Sequence, residues 1–381
     1  MARVLMYAGH GFLPMVAFQR GIRTVSTLPL VLRGASTYGA NDYESCTVGI
    51  MFGMKEPLNR MLPDQRAHDT HVLIIDLGYL KRGTVAEARQ NPEEVYWSVN
   101  LNGLNGWGDP PPSPMPSDRW KSLGLSMARW QDPTEGHFLV CGQKPHDAAL
   151  GGVQPGQWLV ETVSRLRSLT NKQIVWRPHP DDHSSRRLHM AAETGVRQSK
   201  GNLLAEDLKG CAGLIAYNSN SLVEALLAGV PIYPLGPGSV CPTMGHAALT
   251  VETIKNPLRP ERNQFFYDLA YRQWNIPELE AGLAWSHFFD SSGILKSSDA
   301  SRTGGGLMSS SPSPRRGAAR RTSKQPFPAV SAPSQQGLSP AAPPFLQQEN
   351  LSPPAATLQQ EGDFLDPENL ASLIHPGEEK K

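Results

Sequence analysis

The chain has 381 residues and a formal net charge of +1, so charge gives no argument for a nucleic-acid or membrane partner. With 39% hydrophobic residues it can build two ordinary cores, and no run is long and apolar enough to span a bilayer. Four scattered cysteines (Cys46, Cys141, Cys211, Cys241) without a C-x-x-C pair argue for reduced thiols rather than a disulfide frame or zinc site. The N-terminus lacks a signal-peptide layout, so a cytoplasmic location is expected.

The first element is a strand over Arg3 to Ala8, followed by Gly9-His10-Gly11. Leu13, Val16, Ala17 and Ile22 then recur at helical spacing. This is a Rossmann-like start, although the glycine turn lacks the rest of a dinucleotide fingerprint. Val48 to Met54 and Val72 to Leu77 read as further strands of a first sheet, the second running into Asp76-Leu77-Gly78-Tyr79-Leu80-Lys81-Arg82. Residues 98 to 120 are rich in Gly, Asn and Pro and read as a long irregular loop between domains. Asn102, Asn105 and Trp107 there either contact a sugar or belong to a packed surface loop.

A second sheet begins at Phe138 to Cys141 and leads to Gly142-Gln143-Lys144-Pro145-His146-Asp147. A helix with Trp158, Leu159, Val163 and Leu166 on one face follows. Ile174 to Trp176 is a buried strand that stops at Pro178, and His179 stands between Pro178 and Pro180, two residues that restrict the backbone around it. Asp181-Asp182-His183 reads as a solvated polar loop rather than a metal site. Gly213 to Tyr217 is another buried strand. Ser221 and Glu224 form an S-x-x-E pattern that predicts a capping box opening a helix, Gly229 stops it, and Val230 to Tyr233 is the next strand. Strand, helix and strand make a βαβ unit, which binds ligands at the carboxyl ends of its strands, with the helix N-terminus facing an anion.

Asn263 to Trp274 and Pro277 to Phe288 read as two aromatic-rich helices that close the fold against the first domain. From Ser291 onward Ser, Pro, Gly and Gln dominate, which predicts a disordered tail, with one short helix possible from Asp366 to Ile374. The resulting domain plan is 1–130 for an N-terminal Rossmann-like domain and 131–262 for a second Rossmann-like domain, which the resemblance described next makes the acceptor side and the nucleotide-sugar-binding side. Closing helices span 263–289, and a Pro/Ser-rich tail spans 290–381.

Four pieces stand in order: Asp76 to Arg82, the Gln-x-x-x-Asp of Gln143 and Asp147, the Arg-Pro-His-Pro of Arg177 to Pro180, and Asn218 to Tyr233. This order resembles the capsular polysaccharide biosynthesis and export family that includes the bacterial β-Kdo transferases. The resemblance covers most of residues 70 to 240. It implies an α/β, GT-B-like fold of two facing Rossmann-like domains, and a glycosyltransferase using a nucleotide-sugar donor, with CMP-Kdo as the analogue. Asp147 would be the catalytic carboxylate and His179 would contact the donor phosphate. Gln143, Arg177, Pro180, Ser219, Ser221 and Glu224 would complete the donor site, with Glu224 either on the ribose hydroxyls or merely capping its helix. No metal or separate cofactor is implied, and the acceptor would be a polysaccharide, glycolipid or other polymer. A nucleic-acid acceptor stays open but has no support from charge, since the dense basic cluster Arg315-Arg316 with Arg320-Arg321 lies in the tail. Against the family pattern, Asp76 alone represents an acidic pair, and Lys81 precedes Arg82. Two competing readings remain: a nucleotide-sugar 2-epimerase-like enzyme, and a non-catalytic GT-B-fold binding or assembly protein.

Overall fold

The computed structural model describes residues 2–8, 11–38, 43–55, 57–132, 136–145, 147, 150–182, 194–201 and 203–296. His10, His146, His183, the predicted 366–374 helix and the tail beyond Lys296 lie outside the described residues.

The structure is α/β with two parallel-rich, Rossmann-like sheets. Strands β1 (Val4–Ala8), β2 (Leu30–Gly34), β3 (Val48–Phe52), β4 (His71–Leu77) and β5 (Tyr96–Leu101) belong to the first sheet. β6 (His137–Cys141), β7 (Ile174–Arg177), β8 (Arg197–Gln198), β9 (Cys211–Ala216) and β10 (Ile232–Pro234) form the second, and β11 (Gln273–Asn275) returns to the first. The first sheet runs β11-β5-β4-β3-β1-β2 and the second β10-β9-β6-β7-β8. All pairings in the second sheet are parallel; β5 alone runs antiparallel to its neighbours in the first.

The strands are almost continuously apolar because helices or loops cover both faces. β9 and β5 are buried at every position. The Leu13–Val25 helix, with Pro14 in its first turn, packs Met15, Phe18 and Ile22 into the core of the first sheet. The Pro155–Arg167 helix buries Leu159, Val163 and Leu166 against the second.

The structure differs from the sequence reading in five elements, one being the single helix expected over Pro277 to Phe288, which is two helices, Ile276–Glu280 and Leu283–Phe288, broken at left-handed Gly282 (φ 75°). Ser98 to Leu101 is the end of β5, so the irregular segment starts only at Asn102. The helix expected over 263–274 stops at Ala270, and Gln273 and Trp274 instead pair with Ser98 and Trp97 as a sheet edge. Sheet pairing to a distant strand has overridden a locally helical pattern there. β2 carried no recognised local signal. Ser291 to Lys296, assigned to the tail, is ordered: Ser291 O accepts from Thr27 N at 2.7 Å, and Leu295 bridges Phe289. Among the described residues no helix is long and apolar enough to cross a membrane.

One core joins the two sheets. Tyr79 and Leu80, from the turn after β4, pack with Leu139, Cys141, Leu222, Ala225 and Phe266. The loops at the carboxyl ends of both sheets are therefore held together by buried apolar surface.

Candidate active site

In the second sheet, β6 is followed by its neighbour β7 on one side, and the chain later crosses back to place β9 on the other. The crevice between the loops after β6 and β9 is the switch point at which open parallel sheets bind ligands. Gln143 to Asp147 follows β6, and Asn218 to Ser221 follows β9. The strand order thus brings together two motifs that are some seventy residues apart in sequence.

The loops after β6 and β7 are tied to each other. Gly142 N donates to Arg177 O at 2.8 Å, and Lys144 Nζ pairs with Asp181 at 2.8 Å. Asp181 N donates to His179 Nδ1 at 3.1 Å, which leaves the proton of the neutral ring on Nε2. Burial lowers the His179 pKa, Lys144 and Arg82 lower it further, and Asp181 and Asp147 oppose them. His179 is therefore a neutral Nε2–H donor. Pro180 stands exposed beside it.

At the opposite lip, the helix runs Ser221–Leu227 and the predicted capping box is not formed: Asn220 is the N-cap residue and makes no side-chain cap bond. Ser221 lies one position inside the helix with its hydroxyl buried against the Cys141 thiol, out of reach of a capping geometry. Ser219 Oγ accepts from Ser221 N at 3.2 Å and closes the turn instead. The Gln143 amide nitrogen and Ser221 Oγ are buried with no geometrically good hydrogen bond among the described residues. The Gln143 amide nitrogen therefore keeps a donor in reserve at this end of the sheet.

Arg177 is used differently from expectation. Its guanidinium pairs with Asp207 at 2.6 Å and reaches Gly201 O at 3.0 Å, so it is bound into the packing around β8. Glu224 opens onto the crevice but has enough protein around it that desolvation raises its pKa, while Arg82, the Asn220 amide and Arg177 oppose the rise. Asp147 is exposed on the rim, its backbone N–H donating to Lys144 O at 3.3 Å.

Sequence reasoning left Asp76 and Arg82 out of the site, and the structure brings both to it. The turn after β4 is clamped across the domains. Tyr79 N and Leu80 N donate to Gln273 Oε1 at 2.9 and 2.8 Å, and Tyr79 O accepts from Asn220 Nδ2 at 3.2 Å. Gly78 is required because a Cβ there would lie 2.4 Å from Tyr96 O. Lys81 takes a left-handed conformation (φ 49°) and pairs with Glu94, which turns the following Arg82 outward. Arg82 is exposed and makes no hydrogen bond or ion pair among the described residues, yet its charge acts on Asp76, His179 and Glu224. Desolvation raises the Asp76 pKa and the Asp147 charge raises it further, against a hydrogen bond from Leu77 N at 2.6 Å and the charges of Arg82 and Lys55. The signal that could have found this pair was the juxtaposition of both charge signs around the Gly-Tyr-Leu turn.

The chain is similar in structure to two KpsC proteins. Both are from Thermosulfurimonas dismutans: a beta Kdo 2,4 transferase (13% identity, 72% of this chain and 92% of that chain, TM-score 0.47) and a beta Kdo 2,7 transferase (12% identity, 74% and 99%, TM-score 0.46). These are members of the group that the motif order resembles. No family model matches the chain, and no curated protein matches it.

Of the other groups expected to contribute, Asn102 and Asn105 are spent on internal hydrogen bonds to their own turn, β4 and the turn after it. Asn102 accepts from Val72 N at 2.9 Å and donates to Asp109 at 2.7 Å, and Asn105 accepts from Tyr79 OH at 3.0 Å. Burial pushes each of the four cysteine thiols up to about 12, so none is a nucleophile at neutral pH. Among the described residues no group of His, Cys, Asp and Glu is arranged to hold a metal ion.

Proposed function

We propose that this chain is a glycosyltransferase that moves a sugar from a nucleotide-sugar donor to a glycan, glycolipid or other polymer acceptor, with CMP-Kdo as the donor analogue that the motif order offers. The observation that carries this reading is the 3.2 Å hydrogen bond from Asn220 to Tyr79 O, which holds the turn bearing Asp76 and Arg82 against the second sheet, where their charges act together with those of Asp147, His179 and Glu224. Together these groups supply carboxylates for the sugar and unspent donors for a phosphate in a single cleft.

Breaking a glycosyl–phosphate bond leaves the electron pair on a phosphate oxygen and positive charge on the sugar ring. His179 Nε2–H, the exposed Arg82 guanidinium and the Ser219 hydroxyl suit the departing phosphate, while Ser221, buried against Cys141, shapes the turn beneath it. Asp147 suits the anomeric centre, as the nucleophile or as the base that takes the proton of the acceptor hydroxyl. Asp76 holds its proton more tightly than an ordinary carboxyl and is the acid or base on the opposing lip. Gln143 and Glu224 suit the nucleoside portion of the donor. Arg177 and Pro180 support the loop that presents His179.

The test is release of nucleotide from CMP-Kdo and from a panel of CMP-, UDP-, GDP- and dTDP-linked sugars, with and without soluble oligosaccharide acceptors. Release is expected, fastest from a cytidine donor. A uridine preference would remove only the cytidine assignment, whereas no release from any donor would remove the enzymatic reading.

A further inference from the structure

Trp107 is a large aromatic side chain left 50% exposed at the rim of the cleft, on a turn built to hold it still. The backbone is left-handed at Asn102 (φ 58°) and Asn105 (φ 54°), a conformation that the asparagine hydrogen bonds described above hold in place. Arg272 donates to Asn105 O at 3.1 Å, and Gly106 N donates to Gly238 O at 3.2 Å, so the turn is fastened to both halves of the protein. One edge of the indole lies on Gly238, where a Cβ would come within 2.1 Å of Nε1. Its six-membered ring borders Gly151, with Cζ2 3.8 Å from the position of a Cβ there. The pyrrole edge packs on Gly238, and half of the side chain remains exposed.

The loop after β6 relates this indole to the rest of the site. Its start is tied to the His179 loop by the Lys144–Asp181 ion pair, and its far end at Gly151 borders Trp107. Asp147 lies between them in the chain, and Leu150 N donates to Asp147 O at 3.0 Å. Along this loop the carboxylate thus stands between the anchor to the His179 loop and the end that borders the indole. A pyranose ring has an apolar C–H face and a polar rim, and a rigid, half-exposed indole matches that pair of surfaces with little ordering cost.

We propose that the open face of Trp107 is the acceptor subsite, on which a saccharide ring stacks while its hydroxyl reaches Asp147. This deepens the glycosyltransferase reading and rests on it for the acceptor role. The stacking itself is testable without turnover.

The full chain is labelled with 5-fluorotryptophan, and the residue 107 resonance is assigned from Trp107→Phe. It is then titrated with maltohexaose, cellohexaose, chitohexaose and an oligosialic acid, and separately with cytidine monophosphate. At least one oligosaccharide should shift the 107 resonance. Trp107→Ala should weaken that saccharide about tenfold and Trp107→Phe should recover most of the loss. Cytidine monophosphate affinity should stay at the wild-type value in both variants, and Trp107→Phe should keep close to the wild-type melting temperature. The proposal is overturned if no oligosaccharide moves the resonance, or if cytidine monophosphate alone does, which would make the indole a base platform. It is also overturned if Trp107→Ala lowers thermal stability, nucleotide affinity and saccharide affinity together, as loss of a mere interdomain latch would. A saccharide-induced shift in a protein that turns over no nucleotide sugar would leave the subsite standing and remove the transferase reading.

Discussion

Asp147→Asn separates chemistry from folding more cleanly than any other single change in this cleft. The substitution keeps the shape of the side chain and removes its charge. Asp147 is exposed and belongs to none of the buried cores, so stability should change by no more than about 0.5 kcal/mol. For a folded part of this size that is a shift of about 2 °C or less in Tm. A base or nucleophile contributes at least ~100-fold, so turnover should fall by that factor or more, equivalent to about 2.7 kcal/mol of transition-state stabilisation. The same charge acts on its neighbours: it raises the pKa of Asp76 and opposes the lowering at His179. Both titrations should therefore move downward in the variant, which side-chain NMR reads directly. The assay is nucleotide release per folded molecule, with donor affinity and melting temperature measured on the same preparation. Turnover within about threefold of wild type, or a fall explained wholly by lost folding, would refute the catalytic role.

Arg82→Gln should weaken donor binding at least about tenfold, the worth of a charge-assisted hydrogen bond, and should raise the His179 pKa because one of the cations lowering it is gone. An unchanged His179 titration would show that Arg82 does not face it. Asp76→Asn should lower turnover yet raise Tm near neutral pH, since burial makes ionising this acid more costly in the folded protein than in the unfolded chain. For a raised carboxyl pKa that cost grows as pH rises from the unfolded value through the folded one, so the gain in Tm should vanish below about pH 4. His287 lies outside the cleft, in a cavity with Asp118, Arg119, Tyr271 and Trp274, and burial, with Arg119 and Lys296, lowers its pKa from 6.5 to about 4. The unfolded chain therefore takes up a proton first as pH falls. At about 1.4 kcal/mol per pH unit, some ~3 kcal/mol of stability should be lost between pH 6.5 and 4. Denaturant unfolding of His287→Gln should show a flatter profile over that window; an identical slope would refute the assignment.

The local pieces of this protein follow from its residue pattern. The apolar runs ending at Cys141, Trp176 and Ala216 form strands because each is bounded by glycine or proline and is long enough only for a buried strand. Their following loops carry Gln143, Asp147, His179 and Ser219, so the second half of the candidate site was proposed from chain order alone. Only the tertiary structure decided which loops meet. Strand order places β6 between β7 and β9, and that order depends on parallel pairings between segments tens of residues apart, which no local window contains. The same holds for β11, where pairing with β5 extended the backbone of a helix-like stretch and delivered Gln273 to clamp the Gly-Tyr-Leu turn. Once clamped, that turn carries Asp76 and Arg82 across to the second sheet. Their part in the site comes from long-range hydrogen bonding and shared apolar burial, neither of which is written in the residues next to them.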